Sequence, residues 1–179
     1  EDSVKWELTQ NSADSESPTY TLTISGTGAM ADFTQPTKPD AESAHIAPWY
    51  AKLAGSADNE SHTVPITEIV VKNGVTGLGN WAFSGLTNVV KANIPASITG
   101  LGNHIFRGDT ALTTVEWASG FNAPEITDTD SKDKIYSGKY VPTSMFDGCT
   151  SLGNGEELSA WLPASFTGVG CAAFRAEQQ

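Results

Sequence analysis

One stretch of the chain recurs. Val75-Thr76-Gly77-Leu78-Gly79-Asn80-Trp81-Ala82-Phe83 reads against Ile98-Thr99-Gly100-Leu101-Gly102-Asn103-His104-Ile105-Phe106 with an offset of 23 residues at every position. Gly85 maps to Gly108, Val89 to Leu112, Ala92 to Val115 and Ile94 to Trp117 by the same offset. This period constrains the fold more than any other feature. A unit of 23 residues buries too little apolar surface to offset the entropy of ordering its own backbone. Successive copies must therefore stack and bury each other's faces.

The register runs on in both directions. Upstream, Ile66, Ile69 and Val71 occupy the places of Val89, Ala92 and Ile94. Downstream, Phe146-Asp147-Gly148-Cys149-Thr150-Ser151-Leu152 repeats the spacing of Phe106 to Leu112. Phe146 follows Phe106 by 40 residues, so this copy carries a 17-residue insertion. Leu162-Pro163-Ala164-Ser165-Phe166 matches Ile94-Pro95-Ala96-Ser97-Ile98, and Val169-Gly170 with Phe174 closes a fourth copy, after a further insertion of five residues around Gly153 to Glu157. The period falls within the span of leucine-rich repeats. Their L-x-x-L-x-L core appears as Ile66-x-x-Ile69-x-Val71, Val89-x-x-Ala92-x-Ile94 and Leu112-x-x-Val115-x-Trp117. Gly74, Ser97 and Gly120 replace the asparagine that commonly follows, so this is not the common asparagine-ladder subtype.

Each copy makes local sense. Ile69-Val70-Val71 is β-branched and suits a strand, Asn73-Gly74 a turn, and Val75 to Leu78 a second short extended piece. Gly79 to Gly85 reads as a compact arm whose Phe83 plugs the interior. The predicted fold class is a leucine-rich-repeat solenoid over residues 66–179: a right-handed β/α-type superhelix of about four coils, strand-dominated with short helical turns.

At these residues the chain resembles the BspA-type leucine-rich repeat family, whose coil runs roughly GVTSIGxxAFxxCxSLxxVxIPxSV. Phe146 to Leu152 fits the Phe-x-x-Cys-x-x-Leu segment in full, while Leu86 and Asp109 stand at the Cys place in the other two complete copies. The front resembles the segment that often precedes these repeats, in Ile24 to Met30 (ISGTGAM) and Ala47-Pro48-Trp49-Tyr50. The resemblance implies a secreted or surface-exposed bacterial protein that binds host matrix proteins, other cells or surfaces.

Ahead of the repeats, Val4, Trp6 and Leu8 alternate, as do Tyr20, Leu22 and Ile24, around a polar run from Asn11 to Pro18. That pattern predicts a β-hairpin. A hairpin suits a lid over the strand edges that a stack of repeats leaves open, so residues 1–65 are expected to form an N-terminal hairpin cap. Within them, 31–46 reads as loop and Ala47 to Leu53 as a short helix with Pro48 in its first turn. No comparable lid follows the fourth copy, which ends at Phe174 and runs into the polar Arg175 to Gln179.

Ten basic against 21 acidic residues give a net charge of −11. Nucleic-acid binding draws on cations meeting phosphates, so nucleic acid is excluded as a partner, and an anionic membrane surface with it. No stretch approaches the roughly 18 apolar residues of a membrane span. The chain opens Glu1-Asp2-Ser3 without a signal peptide or initiator methionine, which suits a processed form. Cys149 and Cys171 occupy different repeat phases, so no disulfide is expected between them, and Cys149 reads as a buried free thiol.

No arrangement of catalytic residues emerges. His45, His62 and His104 sit in three contexts, and His104 shares its position with Trp81, Ser144 and Ala172, as a surface place would allow. Asp128-x-Asp130-x-x-Asp133 is the densest carboxylate cluster. A calcium loop would want an oxygen ligand and then a glycine where Lys132 and Asp133 stand, so no metal site is expected. Gly77-Leu78-Gly79 lacks the third glycine of a phosphate cradle, Ala82 standing there, so no cofactor is expected.

The aromatic residues carry the remaining signal. Trp117 falls at an inward strand place, and Trp6 and Trp49 belong to the cap. Trp81 has no periodic reason for burial. Trp161 neighbours the inward Leu162, so strand alternation turns it outward. The insertion around 119–140 adds Phe121, Tyr136 and Tyr140 beside Glu125, Asp128, Asp130 and Asp133. Trp81, Trp161, Tyr136 and Tyr140 are therefore the candidate ligand contacts. The reading is a non-enzymatic surface or secreted binding module for a protein or glycan, the alternative being a spacer or assembly unit of a larger cell-surface protein.

Overall fold

The computed structural model describes residues 3–11, 17–36, 45–53, 65–129 and 135–175, without the side chains of 51–53, 128, 129 and 136. Short strands dominate. In chain order they are β1 (Lys5–Gln10), β2 (Tyr20–Ser25) and β3 (Gly28–Ala29), then helix α1 (Pro48–Leu53), then β4 (Ile66–Val71), β5 (Val75–Leu78), β6 (Lys91–Ile94), β7 (Gly100–Leu101) and β8 (Thr114–Trp117). The insertion follows as β9 (Ile126–Thr129) and β10 (Ile135–Gly138). The last copy holds β11 (Tyr140–Val141), a 3-10 turn (Leu152–Gly155), helix α2 (Leu158–Trp161) and β12 (Gly168–Val169).

The main sheet has the order β1-β2-β4-β6-β8. Its repeat strands are parallel and displaced by one period, so that Ile69, Ala92 and Val115 lie side by side, as do Glu68, Lys91 and Thr114. Side chains alternate across a strand. The first row is buried and the second faces outward. A second parallel sheet, β3-β5-β7, lies along the following pieces, and β11 pairs with β12 in the same way.

The compact arm forms a third hydrogen-bonded side. The N–H groups of Trp81, Phe83 and Gly85 donate to the carbonyls of Asn103, Ile105 and Arg107. His104, Phe106 and Gly108 donate likewise to Thr143, Met145 and Asp147, and Ser144, Phe146 and Gly148 to Cys171, Ala173 and Arg175. The arm opens each time on a left-handed residue: Trp81, His104, Ser144 and Ala172 have φ of 58, 60, 50 and 52°. Side chains add a smaller ladder. Asp32 Oδ1 accepts the Asn80 N–H at 2.8 Å, and Asn80 Oδ1 accepts the Asn103 N–H at 2.6 Å. A side-chain ladder therefore runs through Asn80, at a different place in the repeat from Gly74, Ser97 and Gly120.

Inside, one aromatic ring per copy stacks on the next. Phe83 lies 5.5 Å from Phe106, Phe106 5.6 Å from Phe146, and Phe146 5.4 Å from Phe174, with interplanar angles of 28, 1 and 16°. Trp49 continues the column, 5.8 Å from Phe83. Phe83, Phe106, Phe146 and Trp49 are almost wholly buried. Each such ring contributes about 2–3 kcal/mol by burial, and each stacked pair about 1 kcal/mol more.

The front of the chain joins these ladders. β2 pairs with β1 antiparallel and with β4 parallel, and β3 pairs with β5. With Trp49 in the ring column, it supplies the same three parts as a repeat. The periodicity hides this because Leu22 and its partner Ile69 stand 47 residues apart. Gly74 shows how closely the front is fitted. Its φ is +107°, and a Cβ there would lie 2.5 Å from the carbonyl oxygen of Gly26.

Two expectations are corrected. The fourth copy has no strand at Leu162 to Phe166. Instead the chain turns through α2, where the Leu162 N–H donates to the Leu158 carbonyl, and Pro163 has no N–H to give. Trp161 thus sits on a helical turn, not on an outward strand face. The position shared by Trp81, His104, Ser144 and Ala172 is no surface place either. Ser144 is buried and the other three are half-buried. Meanwhile the long insertion folds on itself, β9 pairing antiparallel with β10.

Removing one ring tests the column. Phe106→Ala should cost about 3–5 kcal/mol in urea unfolding, while Val90→Ala, at a side chain 46% exposed, should stay within about 0.5 kcal/mol. A Phe106→Ala loss no larger than that of Val90→Ala would show that the column is not the core.

Candidate functional site

The displaced fourth strand leaves a groove of about 470 Å³ beside β8. Val115, Trp117 and Phe121 form one wall, and Ala160, Trp161, Leu162 and Pro163 the other. Trp117 is half-buried, held from behind by Phe121 at 4.6 Å and Phe166 at 5.6 Å. Trp161 is half-buried too. Its ring packs edge-on against Phe146 at 5.7 Å and Phe174 at 6.0 Å, which anchors that wall to the ring column.

The backbone of β8 gives the groove its chemistry. In a parallel ladder, successive residues direct their N–H and C=O to opposite sides. Thr114 and Ala118 donate to Val90 and Ile94 on the β6 side, so Val115 and Trp117 present theirs to the groove. Among the described residues, the single backbone bond from 150–163 to this edge runs from the Gly153 N–H to the Thr113 carbonyl. The Trp117 indole Nε1 is buried without a hydrogen-bond partner.

The structure scatters the other sequence candidates. Trp81 is half-buried, stacked on His104 at 4.0 Å and 15°, with the Arg107 guanidinium 5.6 Å from its ring centre. It does not line the groove. Tyr140 is half-buried in β11, its ring lying where a side chain on Gly168 would stand, 1.9 Å from the Cβ position. The side chain of Tyr136 and most of the acidic cluster at Asp128 to Asp133 lie outside the described residues. Sequence reasoning named Phe121 within the insertion but missed Val115, Ala160 and Pro163 as groove walls. The signal was present in Pro163 and the five-residue insertion, which together disfavour a fourth strand.

Titratable groups inside the repeats serve packing. Asp147 is buried and holds Arg107 Nε at 3.1 Å and Arg175 Nη2 at 3.4 Å. It completes a column in which the Tyr50 hydroxyl donates to the Ser84 carbonyl and the Ser84 hydroxyl to the Arg107 carbonyl at 2.9 Å. Asp109 is wholly buried, with one carboxyl oxygen accepting the Leu86 N–H at 2.8 Å and the other without a partner. Burial pushes its carboxyl well above the usual range, and does the same to the phenol of Tyr50 and the thiol of Cys149. Cys149 and Cys171 are both free, and the Cys149 thiol donates to the Phe106 carbonyl. Among the described residues, no group of three or more His, Cys, Asp or Glu stands placed to hold a metal ion.

Stacked strand–turn–strand–arm units with apolar L-x-x-L-x-L positions inward fit a leucine-rich-repeat type of fold. Residues 61–129 match the family model described as "BspA type Leucine rich repeat region (6 copies)". Among solved structures, it is similar to a leucine-rich repeat protein from Eubacterium ventriosum ATCC 27560, at 16% identity and a TM-score of 0.29 over 87% of this chain and 58% of that one. This chain thus spans less than two thirds of that protein. No curated protein matches it.

Asp109 yields a pH dependence of unusual sign. An unfolded Asp titrates near about 3.9, and the folded value is raised. Below the unfolded value both states hold the proton and stability is complete. As pH climbs towards the folded value the unfolded state gives up its proton first, and stability falls. Asp109→Asn should remove that fall, read as the Tm difference between acid and neutral pH. An unchanged difference would show Asp109 to be ionised in the fold.

Proposed function

We propose that this chain is a non-enzymatic protein-binding module, and that the groove beside β8 is its site. On this reading residues 66–179 form a right-handed leucine-rich-repeat solenoid, and residues 1–65 close its front, with the β1–β2 hairpin as the cap. Secretion or display at a bacterial surface is part of the proposal and rests on the family. No helix among the described residues is long and apolar enough to cross a membrane.

The observation that carries the proposal is the interrupted sheet. Between the third and fourth copies β11 pairs with β12 and the arms stay bonded, but at β8 the main sheet stops against two apolar walls. Apolar walls with a few exposed backbone groups suit a polypeptide better than a glycan, whose hydroxyls need many polar partners. Of the sequence candidates, Trp161 lines this groove, while Trp81 and Tyr140 do not. The spacer reading draws on the same open edge, with a neighbouring copy as its occupant.

Selection of displayed peptides and a panel of matrix proteins against the purified chain tests the module. Ala160 is exposed and lines the groove, so Ala160→Arg should fill it without disturbing the fold. Ligands so obtained should bind that variant at least about tenfold more weakly, with its Tm retained. Ligands that bind it equally well would move the site elsewhere.

A further inference from the structure

Resting on that reading, we propose that the occupant of the groove is an extended segment of a partner protein, apolar in its middle and flanked by Lys or Arg, which adds to β8 as a further strand. Two independent observations converge on it. The first is the backbone. Val115 and Trp117 turn their N–H and C=O groups into the groove, while the neighbouring residues of β8 bond to β6. An open strand edge recognises another extended backbone by the same ladder bonds, whatever its sequence. The apolar walls at Trp117 and Trp161 then select what its alternate side chains can be.

The second observation is charge. The walls come from residues 110–129 and 150–174, which contain no Lys, Arg or His. The same two segments carry Glu116, Glu125, Asp128, Glu156 and Glu157. Glu116, Glu125, Glu156 and Glu157 are exposed. Among the described residues, two cations reach these segments from elsewhere: Lys91 pairs with Glu116 at 3.0 Å, and Lys139 donates to Asn122 Oδ1 at 2.8 Å. The two segments that supply the walls thus stay net negative, while the lining itself has no charge. Net negative surroundings steer and retain cationic flanks and repel acidic ones.

A second copy of this chain fits less well. Its free outer strand, β1, carries both Lys5 and Glu7, so net negative surroundings gain nothing over a neutral segment.

Labelled peptides test the proposal by fluorescence anisotropy on the full chain. The probes share a core of alternating Thr and Val, flanked by two Lys or by two Glu at each end. Two further Lys-flanked probes carry N-methyl groups on one or the other alternate set of core amides. The Lys-flanked peptide should bind at least about tenfold tighter than the Glu-flanked one, less so at high salt, and Ala160→Arg should abolish its binding. One methylated set should abolish binding and the other preserve it, since only one side of the strand meets β8. Equal binding of both flanks, or indifference to both methylations, would overturn the proposal. So would concentration-dependent self-association, seen by sedimentation and reversed by a β1 peptide, because it makes a second copy the occupant. If the open selection yields groove ligands without strand or cationic character, this inference fails and the module reading stands. If it yields no ligand at all, the module reading itself fails.

Discussion

The column of stacked rings sets the terms for everything outside it. Trp49, Phe83, Phe106, Phe146 and Phe174 succeed one another at 5.4 to 5.8 Å. That is close to the spacing of hydrogen-bonded strands, so ring stacking and backbone ladders are satisfied together. A copy that keeps its ring in the column must send any extra residues outward. The long insertion obeys by folding into the β9–β10 hairpin, and the short one by passing through the 3-10 turn Leu152–Gly155 that leads to α2. The second case costs the main sheet its next strand. The arm still bonds across that interface at Ser144, Phe146 and Gly148, and β11 still meets β12. The stack therefore holds on two sides and opens on the third, which is why a groove exists where it does.

Much of this was legible beforehand. The period, the strand at Ile69 to Val71, the second piece at Val75 to Leu78, the plug at Phe83 and the helix from Pro48 all follow from residue type and spacing, because a repeat shows the same physical solution several times over. The front copy was hidden because its parts stand about two periods apart and its ring is a Trp in place of a Phe. The left-handed position was hidden too. Glycine or asparagine would have signalled it, but Trp81, His104, Ser144 and Ala172 tolerate it under the constraint of three arm bonds per interface.

The site was legible only in part. Trp161 was expected on an outward strand face and instead lines the groove from a helical turn. A strand was assumed, and the helical turn that replaces it follows from Pro163 and the local insertion acting together. The groove's other wall comes from a strand edge, and no property of Val115 or Trp117 in the sequence announces that their backbones lack a neighbour. By contrast, the outer face of the main sheet holds its own polar groups in place, with Asn93 bonded to Glu68 and Lys91 paired with Glu116.

Amide hydrogen exchange along β8 is the most direct measurement, because it reads the open edge residue by residue. In the free protein the amides of Val115 and Trp117 should exchange fast, and those of Glu116 and Ala118 slowly. A bound groove ligand should bring the first pair close to the second. Equal protection of all four amides in the free protein would mean that the edge is already covered, and would contradict the account.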